Sequence, residues 1–148
     1  YFILVRLIRS TIMDTRLADI FNLENIDILD YRIAANTLEI AGDTVVELSK
    51  SLIKSNLSEV ELKKLYDFAK DMEEIQIKTI DSFISNNRML AIDAITLQRT
   101  NSTKISKIRS SLESGKRISL PLFDLIYMFE KILQSWSDIS DLVKPSYQ

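Results

Sequence analysis

Two segments of this chain carry the same heptad pattern of apolar residues, and no other feature constrains the fold as strongly. In each segment, apolar positions follow one another at alternating steps of three and four residues. The first set is Tyr31, Ala34, Leu38, Ala41, Val45, Leu48 and Leu52, and the second is Leu122, Leu125, Phe129, Ile132, Trp136, Ile139 and Val143. Such steps keep one face of an α-helix against a neighbour over many turns. The pattern predicts two long helices related by an internal repeat, with Leu38 and Phe129 buried at equivalent levels.

The composition also favours helices. The chain has 148 residues, of which 46% are hydrophobic, and contains only 2 Gly and 2 Pro. So few helix breakers cannot supply the turns of an all-β fold. The breaks between periodic segments are only a few residues long, so successive helices must run antiparallel. We therefore predict an all-α fold, an antiparallel helical bundle of five helical pieces with no strand.

Particular residues mark the helix ends. Ser58 with Glu61 has the spacing of a capping box, and Asp27 is placed to cap the long helix that runs to about Lys54. Gly115 and Pro145 are predicted to follow the ends of the last two helices.

Composition also excludes several classes of function. The chain has no cysteine and no histidine, so thiolate metal sites are excluded and the commonest general base is missing. The formal net charge is −2, so no basic field indicates direct nucleic-acid binding by this segment. Arg6 and Arg9 interrupt the apolar start of the chain, which is too short to insert into a membrane. The lack of cysteine fits a cytoplasmic protein.

The outer face of the first heptad helix carries two carboxylates and a glycine. Glu39 and Asp43, at i and i+4, can share a weakly held hard cation or simply face water. Gly42 costs a helix interior about 1 kcal/mol relative to alanine, and Ile40 and Val46 place apolar groups beside the carboxylates. The pattern predicts that Gly42, Ile40 and Val46 form a contact surface for another helix or for a second subunit, and we expect a homo-oligomer.

Residues 31–45, which read YRIAANTLEIAGDTV, resemble the signature helix of the PhoU family of phosphate-uptake regulators. Members carry an L-E-R-I-G-D-H-A-type run once in each of two tandem three-helix bundles. A degenerate second copy occupies residues 128–139, where Glu130 keeps the register. The resemblance implies that residues 1–54 form the latter part of an incomplete first PhoU-like repeat and that residues 58–143 form a whole second repeat.

The resemblance also implies a set of metal ligands. Several PhoU-type proteins bind iron or zinc clusters through E(D)-x-x-x-D motifs, and Glu39 with Asp43 matches this motif. In the second repeat, Gln134 stands where the aspartate belongs, and Gln98 with Ser102 stands on the partner helix where carboxylates are expected. An amide and a hydroxyl are poor substitutes for carboxylates around a hard cation. We therefore expect no tight cluster and no certain cofactor, with a weak metal ion at Glu39 and Asp43 as the remaining option.

The function implied by the resemblance is non-enzymatic regulation of phosphate uptake or signalling through protein contacts. The expected partners are components of a phosphate transporter or of a sensor kinase system. Some archaeal relatives place an AbrB-type DNA-binding domain before the PhoU-like domain, which would suit a chain that starts mid-protein and belongs to a transcriptional regulator. Two alternatives stay open: a structural or dimerising bundle without ligand binding, and a metal-dependent enzyme, which lacks any evident base.

Overall fold

The computed structural model describes residues 1–113 and 120–143, and every regular element in these residues is a helix. The six helices are α1 (Phe2–Met13), α2 (Thr15–Ile20), α3 (Asn25–Lys54), α4 (Glu59–Ser85), α5 (Arg88–Glu113) and α6 (Leu120–Ser140). The predicted all-α helical bundle is confirmed. The expectation of five pieces was one short for the described residues, because the segment after Asp14 forms a helix of its own.

The predicted capping box at the start of α4 is present. The Ser58 N–H donates to Glu61 Oε2 at 2.8 Å and the Glu61 N–H donates to Ser58 Oγ at 3.4 Å, which confirms the capping box of α4. Hydrogen bonds from the Ser58 hydroxyl and backbone hold the pKa of Glu61 below its usual range.

Three other predicted helix ends have a different outcome. Asp27 is not the first cap of α3: Glu24 precedes the helix, and its N–H donates to Asp27 Oδ2 at 2.8 Å. Asp27 is therefore the N3 residue of a capping box, and Glu24 is the N-cap. Gly115 and Pro145 lie outside the described residues.

Helix α6 lies at the centre of the bundle and packs against α3, α4 and α5. Its heptad residues are buried from Leu122 to Ile139, and Trp136 is a core residue as the heptad predicts. Helix α4 contributes Leu65, Phe68, Met72 and Ile75 to the same core. Near the end of α6, the Ser140 and Thr79 hydroxyls hydrogen-bond each other at 3.1 Å in a buried position, so the two polar groups satisfy one another inside the core.

Helix α3 lies at the edge of the bundle, and its packing corrects the predicted face. The side buried against the core carries small residues, namely Ala34, Thr37, Ala41 and Thr44. Leu38 is 39% exposed, whereas Phe129 is 6% exposed. The prediction that these two residues are buried at equivalent levels is therefore wrong. Alanine and threonine allow α3 to approach the large side chains of α6, and this rotates Leu38 towards solvent.

The two predicted repeats share one core. Helices α4, α5 and α6 each pack against the other two, and Ala41 of α3 belongs to the same hydrophobic cluster. Helix α1 packs instead against the start of α3, where Ile8, Ala18 and Ile28 form a second, smaller cluster. Both heptad helices are continuous, but the tandem-repeat division into residues 1–54 and 58–143 stays a prediction.

Candidate functional site

The candidate metal ligands Glu39 and Asp43 lie on α3, away from the face that contacts α6. Glu39 is half-buried and Asp43 is exposed. At about 100° per residue the two side chains leave the helix only about 40° apart. In the described part of the chain neither carboxylate makes a hydrogen bond or an ion pair, and no group of three or more histidine, cysteine, aspartate or glutamate residues is placed to hold a metal.

This pair does not fit a multinuclear iron or zinc cluster, because two carboxylates supply too few ligands for several metal ions. It supplies oxygen ligands alone, which suit a hard cation that keeps most of its water. Weak metal binding at Glu39 and Asp43 stays a prediction.

In the predicted second repeat, the polar residues at the positions of the metal-binding motif hydrogen-bond to other side chains of the protein. Gln98 Nε2 donates to Ser102 Oγ at 3.2 Å, and Gln134 Nε2 donates to Asp138 Oδ1 at 2.7 Å. Glu130 accepts a hydrogen bond from Arg109 Nη1 at 3.3 Å across the α5–α6 contact. The first two contacts lie within a single helix, and the third joins α5 to α6. These contacts help to orient the side chains that make them.

Gly42 has empty space around it. A Cβ atom placed on this residue would meet nothing within 4 Å. Among the residues that the structure describes, then, no neighbouring backbone requires a glycine here. Ile40 and Val46, which flank the two carboxylates on opposite sides, are 43% and 50% exposed. The three residues of the predicted contact surface are therefore accessible, and their role in binding stays a prediction.

The exposed apolar surface is wider than the sequence predicted. Besides Ile40 and Val46, α3 exposes Leu38, Val45 and Ile53. Helix α1 exposes a further apolar set: Phe2, Ile3, Leu4, Leu7, Ile12 and Met13. An apolar groove of about 340 Å³ runs between α1, the turn after α2 and α3, and is lined by residues that include Leu7, Phe21 and Tyr31. Sequence reasoning missed the α1 surface, although a short helix that is apolar on several faces is itself a signal of a buried or partnered helix.

Asn101 interrupts the apolar face of α5. From the sequence alone, such an amide can be buried or can face water. It is buried, and Nδ2 donates to the Leu97 carbonyl at 3.1 Å. Its Oδ1 has no hydrogen-bond partner among the described residues. A buried amide of this kind costs stability and favours one packing register of α5 over others.

Other features bear on the class of function. Across residues 1–113 and 120–143, none of the helices combines the length and the apolar character that a bilayer span requires. The apolar cavity between α4, α5 and α6 measures only about 110 Å³, and Phe68 and Phe129 are among the core residues that line it. It is small compared with the pockets of about 300–1,000 Å³ that hold most ligands, whereas two open grooves beside α1, of about 340 and 640 Å³, fall within that range.

Comparison with known proteins found no family model, no curated protein and no solved structure that matches this chain. The PhoU resemblance of residues 31–45 therefore stays a prediction that rests on the sequence.

Proposed function

We propose that this chain is a non-enzymatic regulator of phosphate uptake or phosphate signalling that acts by binding another protein in the cytoplasm. The observation that carries the binding part is the exposed apolar surface of α3 around Gly42. A helix exposed to water normally places polar residues on its outer side, and contiguous exposed apolar residues mark interaction surfaces. The phosphate part is supported by the signature-like run of residues 31–45, which lies on the same helix.

The proposed partner is a component of a phosphate transporter or of a phosphate sensor kinase. A protein partner suits the surface better than a small substrate does, because the exposed residues follow α3 over several turns rather than converge on a pocket. The lack of histidine and cysteine supports a role without catalysis.

Binding can be measured with the purified chain and the purified ATP-binding subunit and sensor kinase of the phosphate system from the same host. We expect Val46→Asp to weaken binding to one of them at least tenfold, because it places a charge in an apolar interface. Val60→Asp is the matched control, since Val60 is also exposed but lies on α4. Binding of neither protein, together with unchanged phosphate uptake after deletion of the gene in that host, would show the proposal to be wrong.

A second candidate is a structural or dimerising bundle that binds no ligand. The exposed apolar surface of α1 favours it, because that surface lies outside the signature-like helix and still needs a cover. Normal phosphate regulation in the deletion strain, combined with self-association of the purified chain, would select this candidate.

A further inference from the structure

Helix α1 exposes a surface that is both apolar and positively charged. Phe2 is 79% exposed and Met13 is 84% exposed. The only charged residues of α1 are Arg6 and Arg9, and in the described part of the chain neither forms an ion pair. Against the part of the chain that the structure describes, α1 buries only Ile8 and Thr11.

The position of α1 leaves most of α3 uncovered. Arg32 Nη1 donates to the Tyr1 hydroxyl at 3.2 Å, and Ile8 packs with Ile28. The two helices therefore run antiparallel, and α1 covers only the beginning of α3. Beyond Arg32, α3 packs against α6 on one side and exposes Leu38, Val45 and Ile53 on the other.

The uncovered part of α3 has the opposite charge. Glu39, Asp43 and Glu47 follow one another at steps of four residues, with no basic residue between them. None of the three side chains forms an ion pair within the described residues. One surface thus combines exposed apolar groups with two unpaired arginines, and the other combines exposed apolar groups with three unpaired carboxylates.

We infer that two copies of this chain form a symmetric dimer in which α1 of each copy lies along residues 34–54 of α3 in the other. Helix α1 is short enough to fit, because its 12 residues are about 18 Å long, whereas residues 34–54 span about 30 Å. A twofold axis makes the contact occur twice. Arg6 and Arg9 then face the acidic row, the apolar side chains cover one another, and the space beside Gly42 admits the incoming helix.

This inference names a second copy as an occupant of the surface on which the proposed function rests. It needs only the α1 and α3 surfaces, so it can hold without any role in phosphate regulation. Dimerisation without a phosphate phenotype would support the inference and contradict the proposed function. A chain that stays monomeric and binds a phosphate-system protein through Val46 would support the proposed function and contradict the inference.

Charge reversal on each surface tests the pairing by analytical ultracentrifugation of the purified chain. The first variant carries Arg6→Glu and Arg9→Glu, and the second carries Glu39→Lys, Asp43→Lys and Glu47→Lys. Each variant alone should dimerise at least tenfold more weakly than the wild type, because like charges meet at both contacts. An equimolar mixture should form a heterodimer, because opposite charges then meet at both contacts.

A wild-type chain that is monomeric at 100 µM overturns the inference, as does a mixture that associates no better than the separate variants. Circular dichroism verifies that each variant is folded. If a charge-reversed variant fails to fold, a disulfide cross-linking experiment tests the pairing instead. The natural chain has no cysteine, so the introduced cysteines are the only thiols present. Met13 is 84% exposed and lies on the same face of α1 as Arg6 and Arg9. Oxidation of a mixture of the Met13→Cys and Gly42→Cys proteins should give a disulfide-linked heterodimer. Failure to cross-link above the level of a Met13→Cys and Val60→Cys mixture contradicts the pairing.

Discussion

Helices α3 and α6 carry the same heptad of apolar residues but occupy different environments. Helix α6 contacts α3, α4 and α5, whereas α3 makes its main contacts in the described chain with α6 and, near its start, with α1. As a result the heptad of α6 is buried along its length, while Leu38 and Val45 of α3 are exposed. The comparison shows that a heptad predicts a helix with an apolar face. How much of that face is buried depends on how many neighbouring helices cover it.

The acidic residues that follow the third heptad position differ in the same way. Glu130 pairs with Arg109 because α5 lies beside α6. Glu39 has no ion-pair partner among the described residues, because none of the described helices covers the outer face of α3 that carries it. A helix face that no neighbour covers keeps both its apolar and its charged groups available for a second protein, so the outer face of α3 is the better candidate for an interface.

The largest expected difference between the two helices concerns leucine truncation. Leu125→Ala in α6 should lower the free energy of unfolding by about 2–5 kcal/mol, because Leu125 is fully buried. Leu38→Ala in α3 should lower it by about 1 kcal/mol, since part of that side chain is already in water. Urea denaturation at low protein concentration, where the chain is monomeric, measures both values.

Equal losses for Leu125→Ala and Leu38→Ala would contradict the difference in environment. The proposed dimer makes the comparison sharper, because the loss for Leu38→Ala should then grow with protein concentration while the loss for Leu125→Ala changes less.

A smaller effect is expected at Gly42. Gly42→Ala should raise the free energy of unfolding by about 1 kcal/mol, because alanine favours the helix and the added Cβ meets no atom within 4 Å. Ala41→Gly is the control: it lies on the buried face of the same helix and should lower stability by at least a similar amount. Thermal unfolding followed by circular dichroism measures both changes. A destabilising Gly42→Ala would mean that a close neighbour occupies this space.

The smallest effect concerns the two glutamates. Glu130→Gln should lower stability by up to about 1 kcal/mol, because it removes a partly exposed ion pair with Arg109. Glu39→Gln should change the stability of the monomer by less than this, since no ion pair is lost. Added salt should reduce the effect of Glu130→Gln. Urea denaturation of the monomer measures both changes. A larger loss of unfolding free energy for Glu39→Gln than for Glu130→Gln would contradict the expected difference.

Much of the fold could be predicted from local sequence. The Ser58 and Glu61 box follows from side-chain reach over three residues, and the core position of Trp136 was predicted from its place in the apolar heptad. The candidate site was predicted less completely. Gly42, Ile40 and Val46 are accessible as expected, but the α1 surface was missed because an apolar helix in a sequence does not show whether another helix covers it.

The sequence by itself determined the all-α class, the length of the helices and the chemistry of each face, because helix periodicity and capping depend on residues a few positions apart. The tertiary structure alone decided that Ala34, Thr37, Ala41 and Thr44 face α6 while Leu38 turns to solvent. That choice depends on the large side chains of α6, on which small residues can pack closely, and on the absence of a further described helix beside α3 that would cover Leu38.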